Sequence, residues 1–170
     1  GALALTANTT GSDNTAVGLE ALQLNTTGAN NVAVGNYALE DSTTSSSNTA
    51  VGFKALMNNT TANSNTAVGR DALRKTTTGQ ENTAIGHNAL YENTAHENVA
   101  VGYRAMIDNT SGTGTAVGTM ALSAQTTASH NTGVGYSALK LNTTGNYNTA
   151  VGTYSLDANT TGASNNAFGY

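Results

Sequence analysis

The chain has 170 residues, of which 9% are charged, far below the roughly 25% of an ordinary soluble domain. A formal net charge of −4 disfavours a nucleic-acid partner, which selects a basic stripe, and the absence of Cys excludes a disulfide scaffold or a thiolate metal site. No apolar run approaches the ~18 residues that span a bilayer, so membrane insertion of this segment is not expected.

The opening stretch holds Leu3 and Leu5, both of which fit one position of the pattern that follows. From there a short Ala-Val-Gly motif recurs to the end of the chain. Its central residue is Val17, Val34, Val51, Val68, Ile85, Val101, Val117, Val134, Val151 and Phe168. The successive spacings are 17, 17, 17, 17, 16, 16, 17, 17 and 17. Ten copies at one period leave no room for a second domain, so residues 1–170 form a single array. The consensus is N-T-A-V-G-x-x-A-L-x-x-N-T-T-G-x-x. Gly follows the Val position in all ten copies, and Ala precedes it in nine, Gly133 being the exception. Asn stands three before it in nine, Gly114 being the exception.

Each period predicts the same elements in order. Thr-Ala-Val, as in Thr15-Ala16-Val17 or Thr49-Ala50-Val51, is a short strand whose β-branched and Val positions share one face. Gly turns the corner. Ala-Leu and its neighbours are read as a second short strand, and Asn-Thr-Thr-Gly as the turn that brings the chain back. The two 16-residue periods lose their residue within Tyr91–Ala100 and Ile107–Ala116, where a turn tolerates deletion better than a paired strand does. Helix is excluded by the obligatory Gly, the Asn/Thr cluster and the lack of an i, i+3, i+4, i+7 stripe. The expected fold is all-β: a parallel β-solenoid, or β-roll, of about ten 17-residue coils with two short strands per coil. Stacking at about 4.8 Å places each residue over its counterpart, so the Asn residues should form an amide ladder.

The apolar columns define the expected core or assembly seam: the ten Val-position residues together with Leu22, Leu39, Leu56, Leu73, Leu90, Met106, Leu122, Leu139 and Leu156. With Val in the core, Val68→Asp should unravel the coil by burying an unpaired charge. Such a core is thin for two layers of short strands, which leads to the expectation that three chains merge their cores as a homotrimer. The pattern runs off both ends, since Tyr170 followed by Gly1-Ala2-Leu3 would continue it. That suggests a segment of a longer fibre, or units stacking end to end as a filament.

Asn31-Val32-Ala33-Val34-Gly35 and its sister Asn82-Thr83-Ala84-Ile85-Gly86 resemble the head repeats of YadA-type trimeric autotransporter adhesins. The Ala-Leu stretch and the Asn-Thr-Thr-Gly turn look closer to the repeats of phage tail-fibre shafts. The resemblance implies a trimeric left-handed parallel β-roll, an extracellular place on a cell surface or virion, and attachment to a host-surface glycan or protein.

Chemistry-bearing residues are scattered. His87, His96 and His130 occupy three different positions of the repeat, so stacking does not gather them as metal ligands. No nucleophile elbow, phosphate loop or calcium-roll motif occurs. The expectation is a non-enzymatic protein without cofactor. The two residues after each corner Gly vary most and collect aromatic and basic side chains. Tyr37, Phe53, Arg70, Tyr103, Arg104, Tyr136 and Tyr154 therefore form the candidate outward binding surface, because exposed aromatic and Arg side chains favour recognition. An ice- or glycan-binding solenoid is the alternative. The adjacent Thr doublets, such as Thr26-Thr27, point to opposite faces if extended and read better as turn residues than as an ice face.

Overall fold

The computed structural model describes residues 1–170. It contains ten strands and no helix. These are β1 (Thr15–Val17), β2 (Val32–Val34), β3 (Thr49–Val51), β4 (Thr66–Val68), β5 (Thr83–Ile85), β6 (Val99–Val101), β7 (Gly114–Val117), β8 (Asn131–Val134), β9 (Thr149–Val151) and β10 (Asn166–Phe168). They form one sheet in sequence order, every neighbour parallel. The register places like over like, as with Thr49↔Thr66, Ala50↔Ala67 and Val51↔Val68. The chain is thus a parallel β-solenoid with a repeat of about 17 residues, as the spacing predicts.

Each coil has one strand, not two. Where a second strand was expected, the backbone takes a run of turns in which alternate residues are left-handed. In the second coil Tyr37 has φ 62° and Leu39 has φ 52°, values incompatible with an extended strand. Ala38 and Ser42 donate back to the carbonyls of Gly35 and Leu39, three residues earlier, closing two successive turns. The run is still laced to its neighbours: Tyr37 N–H donates to Leu19 of the previous coil at 2.8 Å, and Leu39 N–H to Ala55 of the next at 3.1 Å. Of 104 backbone hydrogen bonds, only 20 lie within the strands, so most of the cohesion between coils comes from the turn-rich wall and the corners.

The corner glycines are obligatory for two reasons. Gly86 has φ 135°, a region that L side chains rarely adopt. A Cβ there would lie 2.5 Å from the Gly102 carbonyl oxygen of the next coil, closer than any real contact.

The core lies between the sheet and the turn-rich wall. It is a column of strand alanines (Ala33, Ala50, Ala67, Ala84, Ala100, Ala116, Ala150) facing the Ala-Leu pairs of the other wall, all fully buried from Ala21-Leu22 to Ala138-Leu139. Leu156 is half-buried and packs against the same cluster. The expected Leu column is therefore interior. The Val column is not: Val34 and Val51 are 36% exposed, Ile85 41%, Val117 37%, and the end residues Val17 and Phe168 more so, while Val68, Val101, Val134 and Val151 are half-buried. Strand alternation allows one of the two sets, Ala or Thr/Val, to point inward, and the space between the walls admits only a methyl group. At Gly133, which stands in the alanine column, an added Cβ would already meet Leu122 Cγ at 3.2 Å.

The remaining interior is polar. Asn31, Asn48, Asn65, Asn82, Asn98, Asn131 and Asn148 are buried in one column; Asn25, Ser42, Asn59, Thr76, Asn93, Asn109, Gln125 and Asn142 are buried in a second. The first column forms the expected ladder, each asparagine backbone N–H donating to the side-chain oxygen one coil earlier, as Asn65 does to Asn48 at 3.0 Å, except at Asn131, whose counterpart one coil earlier is Gly114. The second closes the return turn, with Asn59 Nδ2 donating to the Ala62 carbonyl and Ala62 N–H to Asn59 Oδ1, both at 3.0 Å. The first threonine of each Asn-Thr-Thr binds the next coil: Thr26 Oγ1 donates to the Thr43 carbonyl at 2.9 Å, and Thr43 Oγ1 to Thr60 at 3.1 Å. Burying this much amide is tolerable only because nearly all of it is paired.

Candidate functional site

Three surface features arise from this frame. The first is the outer face of the sheet. Because alanine points inward, the Thr and Val positions of every strand point outward. They make two parallel columns, Thr15, Val32, Thr49, Thr66 and onward beside Val17, Val34, Val51, Val68 and onward. No strand contains a charged residue.

The second is a rib of aromatic and basic side chains just beyond the corner glycines, where the candidate binding residues were placed. Stacking brings them together in groups. Tyr37 meets Phe53 edge-on with ring centroids 5.8 Å apart; Lys54 Nζ lies 5.0 Å, and the Arg70 guanidinium 5.7 Å, from the Phe53 centroid. Arg70 Nε also pairs with Asp71 Oδ2 at 3.0 Å. Tyr103 packs against His87 at 5.5 Å. Tyr136 meets Tyr154 at 5.3 Å, and Tyr154 meets Tyr170 at 6.3 Å. A hydrogen bond with Tyr136 raises the Tyr154 hydroxyl above its ordinary pKa of 10.0. Phe53, Tyr103, Tyr136 and Tyr154 are exposed, Tyr37 and Arg104 half-buried. The rib is interrupted at Thr119-Met120, so it forms separate clusters rather than one continuous strip. Edge-on contacts of this kind are worth about 0.5–1.5 kcal/mol each, and they hold the rib together as much as they offer it to a ligand.

The third feature was not anticipated from the sequence. A cavity of about 400 Å³ opens at the return corner, lined by Glu97, Thr113, Gly114, Thr115, Ser129, His130, Asn131 and Thr132. The residue just before each buried asparagine forms a corner column that includes Glu81, Glu97, His130 and Tyr147, all with φ near 60°. The coil of β7 lacks that residue: its period is one shorter, and Gly114 stands where asparagine is expected. Glu97 and His130 therefore sit above and below a missing step. The one-residue loss between Ile107 and Ala116 was readable; aligning Glu97 and His130 in one column on either side of it would have found the notch.

The histidines remain apart, as their repeat positions require. His87 is in the aromatic rib, His96 Nδ1 accepts the Gln80 N–H at 3.1 Å, and His130 stacks on Tyr147 with centroids 5.0 Å apart and planes 10° apart. No three His, Asp or Glu side chains converge to hold a metal ion. Comparison with family models, curated proteins and solved structures finds no match to this chain.

Proposed function

We propose that the chain is a structural, non-enzymatic shaft segment of an extracellular attachment fibre, on a cell surface or a phage particle, in which three copies pack along their sheets. The observation that supports this most is the uncharged Thr/Val face, which runs the length of the solenoid with its Val-position side chains over a third exposed at Val34, Val51, Ile85 and Val117. An apolar strip spanning all ten coils is unusual on a monomeric surface and marks an interaction face. The coil beneath it is narrow, with alanine and leucine its main apolar fill, so merging three chains adds dry contact where the single chain has least. The resemblance of Asn31–Gly35 and its sisters to adhesin-head and tail-fibre repeats supports the same reading.

Absolute mass in solution, by light scattering on a sizing column at several concentrations, tests it. A stable species of three chains is expected. A monomer at all concentrations overturns it, and growth without limit points instead to an end-to-end filament.

One observation favours a second reading. The Thr and Val columns place two parallel rows of β-branched groups on one side, about 4.8 Å apart along the axis and about 6.6 Å across it. The Thr doublets did not offer such a face, whereas the outward sheet does. An ice-binding monomer would shape ice crystals and lower their growth temperature; a fibre shaft would do neither.

A further inference from the structure

We infer that the notch between Glu97 and His130 is a carbohydrate subsite that takes one uncharged sugar ring. The inference goes beyond the fibre reading, because a single chain contains the whole notch. The cavity arises from the loss of one corner residue from one coil, which leaves about two coil spacings, roughly 10 Å, between the backbones of Glu97 and His130.

Its chemistry selects the ligand class. None of the eight lining residues is hydrophobic. The walls offer a carboxylate that only accepts hydrogen bonds, hydroxyls that donate and accept, and an imidazole that can do either. A hydroxyl-rich ring needs this mixture. The Glu97 carboxylate repels an anion, and the one His and one Glu are too few to fix a metal ion. The volume of about 400 Å³ lies at the small end of ligand pockets, roughly 300–1,000 Å³, room for one ring and some water.

The floor is fixed and the walls are free to re-bond. Asn131 is buried; its Nδ2 donates to Gln125 Oε1 at 3.0 Å and to the Gly145 carbonyl at 2.8 Å. The Ser129 hydroxyl accepts from Thr113 N–H, and the Thr113 hydroxyl from His130 N–H, only at 3.4 Å each. These long contacts cost little to exchange for a sugar hydroxyl. His130 is held by its stack on the exposed Tyr147, which adds an aromatic edge to the rim.

The test is amide chemical-shift mapping of the full chain titrated with glucose, galactose, mannose and N-acetylglucosamine at millimolar concentration. At least one sugar is expected to give saturable shifts confined to Thr113–Thr115, Ser129–Thr132 and Glu97. Inserting one serine between Thr113 and Gly114 restores the 17-residue spacing, refills the missing step and should abolish those shifts. Glu97→Gln keeps the shape and should weaken binding by about tenfold, the worth of one hydrogen bond to a charged group. No saturable shift with any of the four sugars, shifts spread along other coils, or equal binding by the refilled variant would each overturn the proposal. A trimer without sugar binding removes this subsite and leaves the fibre reading; a sugar-binding monomer does the reverse.

Discussion

The side-chain oxygen of Asn31 accepts two hydrogen bonds from Asn48 one coil later, from the backbone N–H at 3.0 Å and from Nδ2 at 3.2 Å. Asn82 does the same to Asn65, at 2.9 and 3.1 Å, and Asn165 to Asn148, at 2.9 and 3.0 Å. The donated Nδ2 also reaches forward, as from Asn65 to the Gly79 carbonyl at 2.9 Å. One side chain thus ties three coils together and satisfies backbone groups that the short strands leave behind.

Removing that side chain from the middle of the stack should be costly. Asn65→Leu strands the Asn82 N–H and the Gly79 carbonyl, at about 1–3 kcal/mol for each buried group left unpaired, and takes one of two acceptors from Asn82 Nδ2, which keeps the Ala95 carbonyl. A loss of about 3–5 kcal/mol is expected in chemical denaturation. Asn165→Leu, at an exposed position, removes one side-chain hydrogen bond to Asn148 and should lose under about 1 kcal/mol. Equal losses would show that the ladder is incidental to stability.

The leucine column makes a sharper demand. Leu90 is fully buried at φ 51°, and Met106 occupies the same position at φ 50°. An unbranched Cβ tolerates this left-handed geometry; a β-branched side chain is a genuine outlier there. Leu90→Met should cost under about 1.5 kcal/mol. Leu90→Ile, nearly equal in volume, should cost at least about 2 kcal/mol more, from backbone strain rather than from a cavity. Matching melting temperatures for the two variants would contradict the left-handed assignment of this column.

These columns show what the sequence could and could not reveal. Period, coil count, parallel register and the asparagine ladder follow from spacing and identity alone, because stacking repeats every constraint in every coil. The left-handed run was hidden because Ala-Leu reads as β or α by apolarity, and Leu is a poor marker of positive φ. The outward turn of valine was hidden because hydrophobicity ranks it above alanine for burial; the width of the gap, visible only in three dimensions, decides otherwise. Departures from the pattern were visible singly but not as a set. Met106, Gly114, Gln125 and Asn131 meet in space: Gln125 Nε2 contacts Met106 Sδ at 3.8 Å, and its Oε1 accepts from Asn131. The longer side chains fill what the missing asparagine leaves at Gly114.

The reversal of the strand faces separates folding from association. Ala67 is fully buried and its neighbour Val68 lies half-buried on the sheet's outer face. Ala67→Asp should prevent folding, because an unpaired buried charge costs at least several kcal/mol. Val68→Asp, instead of unravelling the coil, should leave the single chain folded by circular dichroism and reduce the mass of any assembly built on that face. If Val68→Asp unfolds even the dilute monomer, the valines carry more of the coil's own stability than their exposure implies.

Glu40 provides a pH-dependent probe of the turn-rich wall. Its Oε2 is buried without a hydrogen-bond partner. Burial first, then the nearby charges of Asp41 and Glu20, raise its pKa above the ordinary 4.5, with Lys54 pulling weakly the other way. Folding therefore favours the protonated acid relative to the unfolded chain. Below the unfolded-state pKa both states are protonated and Glu40's full stabilising contribution is present. As the pH rises through the elevated folded value, the folded carboxyl is forced to ionise and that contribution is lost. Glu40→Gln removes the titration while keeping the shape. The variant should melt higher than the parent at pH 7, and the difference should shrink steadily as the pH falls, vanishing below about pH 4. Taking the difference between the two proteins removes the titrating groups that do not interact with Glu40, so a gap that stays constant from pH 7 to pH 4 would mean that folding does not raise the Glu40 pKa.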